Sequence, residues 1–250
     1  TDPSLPVAPF ELEVNRPLPD PALYRAELLV AEDFNDLDRW VREAIDPEDV
    51  RVDDGELILE IAPAHDGLTL WYREAFEAPL LIEYEAEMVG EAGANDLNHF
   101  IMASDPSGRD LFAGSAARGG VFRNYHDLSL YYAGLGVGQN RFHRFRRYPR
   151  SGPPDIEIAA ENSGRSGLLE PGVPMRIQIS VEIDGRVRLW IDGQNLFDFR
   201  EDSLSHPRGH FGFRSYNSHT RIDNFRVWRL GSTTDPSNHP PSNHPPSQYP

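Results

Sequence analysis

The chain has 250 residues, a formal net charge of −16 and no cysteine, which excludes thiol nucleophiles, thiolate metal sites and disulfides. All 24 basic residues are arginine and none is lysine, so lysine Schiff-base chemistry is excluded too. An acidic chain also lacks the broad basic footprint of a nucleic-acid binder, and no apolar run approaches the roughly 18 to 20 residues of a membrane span.

Prolines crowd the two ends, six within residues 1–22 and six within 232–250. This contrast divides the chain into a proline-rich arm over 1–24, one domain over 25–231 and a low-complexity tail over 232–250. The opening "TDPSLPVAPFELEV" has the character of a terminus left by processing, so export to the periplasm or beyond is expected. The tail repeats the unit SNHPP. It holds too little apolar surface to offset its ordering entropy and reads as a flexible tail, with His239 and His244 as an alternative metal-binding tract.

After the arm, "NDLDRWVREAI" (35–45) has a helix-like spacing. From there the pattern is period two: "ELILEIA" (56–62), "LTLWYREAF" (68–76), "PLLIEYEAEMV" (79–89), "NHFIMAS" (98–104), "LSLYYAG" (128–134), "MRIQISVEI" (175–183), "VRLWIDG" (187–193), "GHFGFRSY" (209–216) and "RIDNFRVWRL" (221–230). Two Asp-Gly pairs flank the strand in "IDGRVRLWIDGQNLFDF", predicting a meander because type I′ turns suit Gly and tolerate Asp. Nine or more short strands with turn signals between them, in a chain long enough for one sizeable core, predict a single all-β, antiparallel two-sheet β-sandwich.

Alternation then sorts the side chains. In "HFGFRSY", Phe211 and Phe213 point to the core, leaving His210, Arg214 and Tyr216 on the other face. "LSLYYAG" separates Leu128, Leu130 and Tyr132 from Ser129 and Tyr131. "NHFIMAS" separates Asn98, Phe100 and Met102 from His99, Ile101 and Ala103. The pattern leaves open which face is concave. In "IEYEAEM", Glu83, Glu85 and Glu87 share one face about 7 Å apart, a spacing that suits paired carboxylates of a glycoside hydrolase and equally the solvated face of an outer strand.

Charge is segregated along the chain: 25 of the 40 acidic residues lie within residues 1–100, whereas "QNRFHRFRRYPR" (139–150) gathers five arginines. If extended, this run places Arg144 and Arg146 on one side and Phe145 and Arg147 on the other. It reads either as a solvated stretch pairing with the acidic first third or as a cationic subsite for a uronate or sulfated sugar.

"LLVAEDFND-LDRW", "VDDGELILE", "VRLWIDGQNLFDF" and the closing "GHFGFRSYNSHTRIDNFRVW", in that order, resemble the concanavalin A-like (laminin G-like) jelly rolls of secreted bacterial carbohydrate-active proteins. The middle, "DLNHFIMASDP" with "YHDLSLYYAGLGVGQNRFHRFRRY", is similar to a family related to the YesU-type proteins. The resemblance spans about residues 28–230 and implies a bacterial, extracytoplasmic sandwich acting on carbohydrate. The fold hosts lyases, hydrolases and plain binding modules.

The partner expected from these readings is an acidic polysaccharide or oligosaccharide. Its cleavage by β-elimination requires a cation or donor set for the carboxylate, a base for the C5 proton and an acid for the leaving oxygen. Tyr132 or His126 is expected as base or acid, His143 as a further candidate, and Arg146 and Arg214 as carboxylate clamps. Asn98, His99, Arg123, Asn124, Tyr131, Arg144, His210 and Tyr216 are the candidate substrate-binding residues. The alternatives are a non-catalytic binding module and a glycoside hydrolase. Asp33 in "EDFND" and Asp223 in "RIDNF" are candidate ligands of a structural calcium ion (Ca2+), brought together if the first and last strands pair; turn chemistry is the other reading of both.

Overall fold

A computed structural model describes residues 24–62, 65–90, 96–149, 155–159 and 169–232. The repeated tail and nearly all of the proline-rich arm lie outside these residues. The strands, in chain order, begin with β1 (Tyr24–Glu32), β2 (Trp40–Ala44), β3 (Val50–Asp53), β4 (Glu56–Glu60), β5 (Leu68–Tyr72) and β6 (Phe76–Glu77). Next come β7 (Leu80–Met88), β8 (Leu97–Ser104), β9 (Ser129–Gly136), β10 (Phe142–Tyr148) and β11 (Asp155–Ala159). The chain closes with β12 (Met175–Val181), β13 (Arg186–Ile191), β14 (Gln194–Arg200), β15 (Arg208–Ser215) and β16 (His219–Ser232).

They form two antiparallel sheets packed face to face, a jelly-roll sandwich. One sheet runs β14-β13-β12-β7-β16-β4-β3, with β1 added beside β16; the other runs β11-β10-β9-β8-β15-β5-β2, with β6 added beside β15. The core lies between them and draws on the alternate residues that the period-two pattern singles out. Tyr131, Ala133, Ile101, Phe145, Phe211 and Phe213 come from the second sheet; Leu80, Ile82, Tyr84, Ile177, Ile179 and Phe225 come from the first.

The predicted meander is present as β12-β13-β14, and Asp192 and Gly193 both take positive φ (49° and 76°) at its second turn, as a type I′ hairpin requires. Two expectations change. The helix-like stretch 35–45 is a turn leading into β2, because Trp40 must enter the core beside Tyr72, Phe213 and Phe225. Burial of a large ring decides the local structure over a weak helical spacing. In β8 the alternation fails at Met102, whose φ is +56°. A register shift between Ile101 and Ser104 turns Met102 into the core with Ile101 and sends Ala103 to the opposite face, the action of a β-bulge.

Between β8 and β9, residues 105–128 leave the sheet and fold back over its outer face as three short helical turns, Leu111–Gly114, Ser115–Arg118 and Phe122–Tyr125. Leu111, Tyr125 and Leu128 of this roof pack on Trp71, Phe100, Leu130, Tyr132 and Tyr148. A buried ion pair fastens it to β2. The carboxylate of Glu43 accepts from Arg118 (2.5 and 3.1 Å), from the Ser115 hydroxyl (2.7 Å) and from the Tyr125 hydroxyl (2.7 Å).

Candidate functional site

Directly opposed residues of an antiparallel sheet share a face, so the registers trace rows across the second sheet. One row runs Glu43, Thr69, Arg214, Asn98, Gly134, Arg144 and Glu157, one residue from each of β2, β5, β15, β8, β9, β10 and β11. The next, one pleat along, holds Trp71, Gly212, Phe100, Tyr132 and Arg146, and its aromatic rings form the floor on which the roof sits. Over the middle of the first row is a cleft of about 440 Å³. Arg214, Asn98, Arg144 and Tyr132 line it from the sheet, Phe122 and Arg123 from the roof, and Asp66, Asp96 and Tyr216 from the strand ends.

Its centre is a chain of polar contacts. The Tyr132 hydroxyl donates to Asn98 Oδ1 (2.9 Å), and Asn98 Nδ2 donates to Asp96 Oδ1 (2.7 Å). Gly134 leaves the space for them, since a β-carbon there would stand 2.5 Å from the hydroxyl and 2.7 Å from Asn98 Oδ1. Burial raises the Asp96 carboxyl from its ordinary 3.8 to about 6, against the bond from Asn98 and the charges of Arg214 and Arg144. Burial likewise pushes the Tyr132 phenol well up, favouring the neutral, proton-donating form.

Arg214 is the outstanding cation of the site. It is only 3% exposed, lies over the Phe122 ring at 4.8 Å and donates from Nη1 to the Ser215 carbonyl (3.1 Å). Among the described residues its Nε has no hydrogen-bond partner. Burial lowers its pKa, and Asp96 opposes that shift. Arg144, itself paired with Glu157, and Arg123 bring the cleft lining to three guanidinium groups beside the carboxylates of Asp66 and Asp96, although the molecule as a whole is strongly acidic.

The structure therefore brings together Asn98, Arg123, Tyr132, Arg144, Arg214 and Tyr216, and separates the other sequence candidates from the cleft. His99 faces the core, wholly buried, where its Nε2 meets the Tyr84 hydroxyl and its Nδ1 lies 2.9 Å from the Ala133 carbonyl; burial lowers its pKa to about 4. Tyr131 also points inward, its hydroxyl donating to Glu201. His143 is buried on the core side of β10 and accepts from the Gly136 amide (3.3 Å).

The remaining candidates have structural partners on the outer face. Arg146 shares the face of Arg144 but bonds Asp155 directly across on β11 (2.7 Å) and lies outside the cleft lining. His126 is exposed, stacked on Tyr148 and edge-on to Phe122. Asn124 donates to the Ala117 and Arg118 carbonyls within the roof. His210 packs edge-on against Phe112 beside the Tyr72 carbonyl. Within the arginine run, Arg144 and Arg146 pair with Glu157 and Asp155 of β11 and Arg147 with Glu201, while Arg141 donates to the Gly138 carbonyl; none of these partners belongs to the acidic first third.

Glu83, Glu85 and Glu87 lie on β7 in the first sheet, so their strand does not contribute to the cleft. Glu83 is buried and accepts from Arg176 (2.6 Å), Gln178 (3.2 Å) and Trp228 Nε1 (3.0 Å). β1 and β16 do pair, but the Asp223 carboxylate accepts from Asn224 and Asp33 is exposed. Among the described residues no group of three or more His, Asp or Glu side chains is placed to hold a metal.

Asp66 and Asp96 were not singled out by sequence. The signal for Asp96 was present, since extending the alternation of β8 by one step puts Asp96, Asn98 and Phe100 on one face. Asp66 sits in the β4–β5 loop and carries no such signal.

Residues 63–225 match the family model described as Domain of unknown function (DUF6250). No curated protein matches the chain. Among solved structures, a protein of unknown function with galectin-like fold from Bacillus subtilis is 16% identical with a TM-score of 0.65, the alignment covering 83% of this chain and 99% of that one. The carbohydrate-binding module CBM66 from Bacillus subtilis is 9% identical, TM-score 0.51, covering 75% and 93%. The endo-β-1,3-glucanase from Pyrococcus furiosus is 11% identical, TM-score 0.54, covering 84% and 96%. At these identities the similarity is one of fold.

Proposed function

The chain belongs to the DUF6250 family, and from that premise we propose that its cleft binds an acidic saccharide and cleaves it by β-elimination. The observation that carries this reading is Arg214. A guanidinium this deeply buried is costly unless an anion answers it, and among the described residues its Nε has no acceptor. A uronate carboxylate has the charge and the planar, two-oxygen shape that a guanidinium fork accepts.

Other features of the cleft suit a sugar. Phe122 and Tyr216 offer aromatic surface, while Asn98 and Asp66 offer hydrogen-bonding groups, the mixture of apolar wall and few polar anchors usual in small-ligand sites. Two of the fold neighbours, CBM66 and the glucanase, are named for carbohydrate, which agrees with this reading at the level of fold.

In the proposed reaction Arg214, helped by Arg144, neutralises the uronate carboxylate and so acidifies the C5 proton. Asp96, ionised above about pH 6, takes that proton. The C5–H electron pair forms the C4=C5 double bond, the C4–O bond breaks, and the Tyr132 hydroxyl gives its proton to the departing oxygen. Solvent then returns Asp96 and Tyr132 to their starting states. Export from a bacterial cell belongs to the same proposal, since polymeric substrates of this kind lie outside the cytoplasm, and so does the finer likeness to YesU-type proteins.

A second reading, non-catalytic binding, is favoured by one contact: the Tyr132 hydroxyl is already engaged by Asn98. Incubation with pectic, ulvan-like and glucuronan polymers decides between them. A rise in ultraviolet absorbance from the unsaturated product supports elimination. Retention without turnover supports binding alone, and reducing ends without absorbance point to hydrolysis between Asp66 and Asp96. Neutral glycans binding as tightly as charged ones would overturn the acidic-saccharide reading.

A further inference from the structure

The same cleft stops short of one edge of its sheet. We infer that it is a blind pocket, closed at the β5/β2 end, and that it takes the terminal uronate of a chain instead of an internal segment. The inference rests on the acidic-saccharide reading above and adds which part of the polymer the site recognises.

The row that forms the cleft shows the closure. Arg214, Asn98 and Arg144 line the open space, but Thr69 and Glu43, the next residues of that row on β5 and β2, are covered (0% and 2% exposed). No residue of β5 or β2 lines the cleft. On the neighbouring row, Trp71 of β5 is wholly buried, stacked on Phe100 and tilted against Tyr125 of the roof. The outer surface of these two strands is thus occupied by the protein itself.

What shuts the cleft is a backbone-to-backbone contact. A β-carbon on Gly120 of the roof would stand 2.2 Å from the Gly67 carbonyl oxygen and 3.0 Å from that of Glu43, so the roof meets the β4–β5 loop with no side chain between them. The cleft-lining Asp66 and Val121 immediately adjoin these two glycines. Gly67 takes a φ of +103°, and a β-carbon there would lie 2.9 Å from Arg214 Nη1, so the buried cation is at the closed end. The opposite end of the row is open: the side chains of Arg144 and Glu157 are 21% and 49% exposed. A saccharide entering over Arg144 and running along the row ends at Arg214, and the residue whose carboxylate meets that guanidinium is the reducing-terminal one, since elimination breaks the C4–O bond that joins it to the rest of its chain.

The cavity is small, near the lower end of the range of about 300–1,000 Å³ for ligand pockets. A polymer running along the row of strands needs an exit that the Gly67–Gly120 contact removes.

Binding stoichiometry tests the inference with polygalacturonate, ulvan and glucuronan, each as a ladder of oligomers and as the long polymer. Calorimetry of the full chain is expected to give one protein bound per saccharide chain at every length, with affinity independent of length beyond the shortest oligomers. The first cleavage product, resolved by chromatography, is expected to be a single short species. Proteins bound per chain rising in proportion to length, or a spread of first products, would overturn the blind pocket while leaving the acidic-saccharide reading intact. Binding to none of the three would remove that reading, and this inference with it.

Discussion

Arg214 of β15 stands directly across the strand pair from Asn98 of β8, so that the buried cation and the amide holding Tyr132 project from one row into the same space. This relationship makes the two ends of the proposed reaction, neutralising a carboxylate and delivering a proton, neighbours by register alone. Arg214→Gln should weaken an acidic saccharide by about 30-fold or more, the loss of a desolvated charge pair worth about 2–5 kcal/mol. The change removes the desolvation cost of a buried guanidinium but also a charge that favours the Asp96 carboxylate, so the melting temperature should change little. Calorimetry and thermal unfolding of the same variant check both.

Arg146 provides the contrast. Its partner is Asp155 across the β10–β11 pair, and both side chains retain some exposure (13% and 37%). Arg146→Ala should leave turnover and saccharide affinity unchanged and cost less than about 1 kcal/mol of stability. A large loss of turnover would return Arg146 to the site.

Tyr132→Phe removes only the proton proposed for the leaving oxygen. Turnover should fall by about 10²- to 10⁴-fold, while affinity changes by less than about tenfold, since one neutral hydrogen bond contributes about 1 kcal/mol. Equal losses of affinity and turnover would show that the hydroxyl serves binding alone.

Asp96 gives a pH dependence with a defined sign. Its folded-state pKa is raised by burial from the ordinary 3.8 to about 6, so the stability gained from its proton is complete below about pH 4 and is lost as pH rises through 6. Asp96→Asn should therefore stabilise the protein near neutral pH by up to about 3 kcal/mol, with the difference vanishing in acid. Catalysis should run the other way: kcat/KM rises with pH through about 6 in the parent protein, and the variant loses turnover. Thermal melts and rate profiles across pH 3–8 (roughly the span of the two carboxyl states) check the pair.

The roof has its own test in the Glu43–Arg118 pair, both members of which are buried. Glu43→Ala leaves the guanidinium uncompensated and should destabilise the chain by about 3–5 kcal/mol. Replacing both partners with apolar residues of similar volume, as in Glu43→Leu with Arg118→Met, should recover part of the loss, the remainder being the Ser115 and Tyr125 hydroxyls left without their acceptor. Melting temperatures of the two variants report the difference.

Much of the fold was legible because period-two alternation is a direct imprint of the pleat: Phe211 and Phe213 fall inside and Arg214 and Tyr216 outside, as the letters imply. The Asp-Gly turns were legible for the same local reason. The helix-like spacing of 35–45 does not survive because it says nothing of the distant rings that bury Trp40. Met102 broke the alternation through a bulge that no residue type announces. The site was half legible. Alternation separated Asn98 from His99 and Tyr132 from Tyr131, but only the sheet order revealed which face was open. His126 and Asn124 are candidates by residue type alone, and the fold uses them in the roof instead. Arg146 and Arg144 are indistinguishable by period; the strand that pairs with them, and the position of the cleft along it, set them apart.

The seam between Gly67 and Gly120 carries a consequence for how this molecule could change its diet. Two hydrogen atoms, where any other amino acid would bring carbon, decide whether the sheet presents a dead end or a thoroughfare. A single methyl group at position 120 would have to lift the roof to find room, and a lifted roof would uncover Thr69 and the ring of Trp71 as fresh ground for further sugar units. Selectivity for ends over middles is thus written in what these two residues lack.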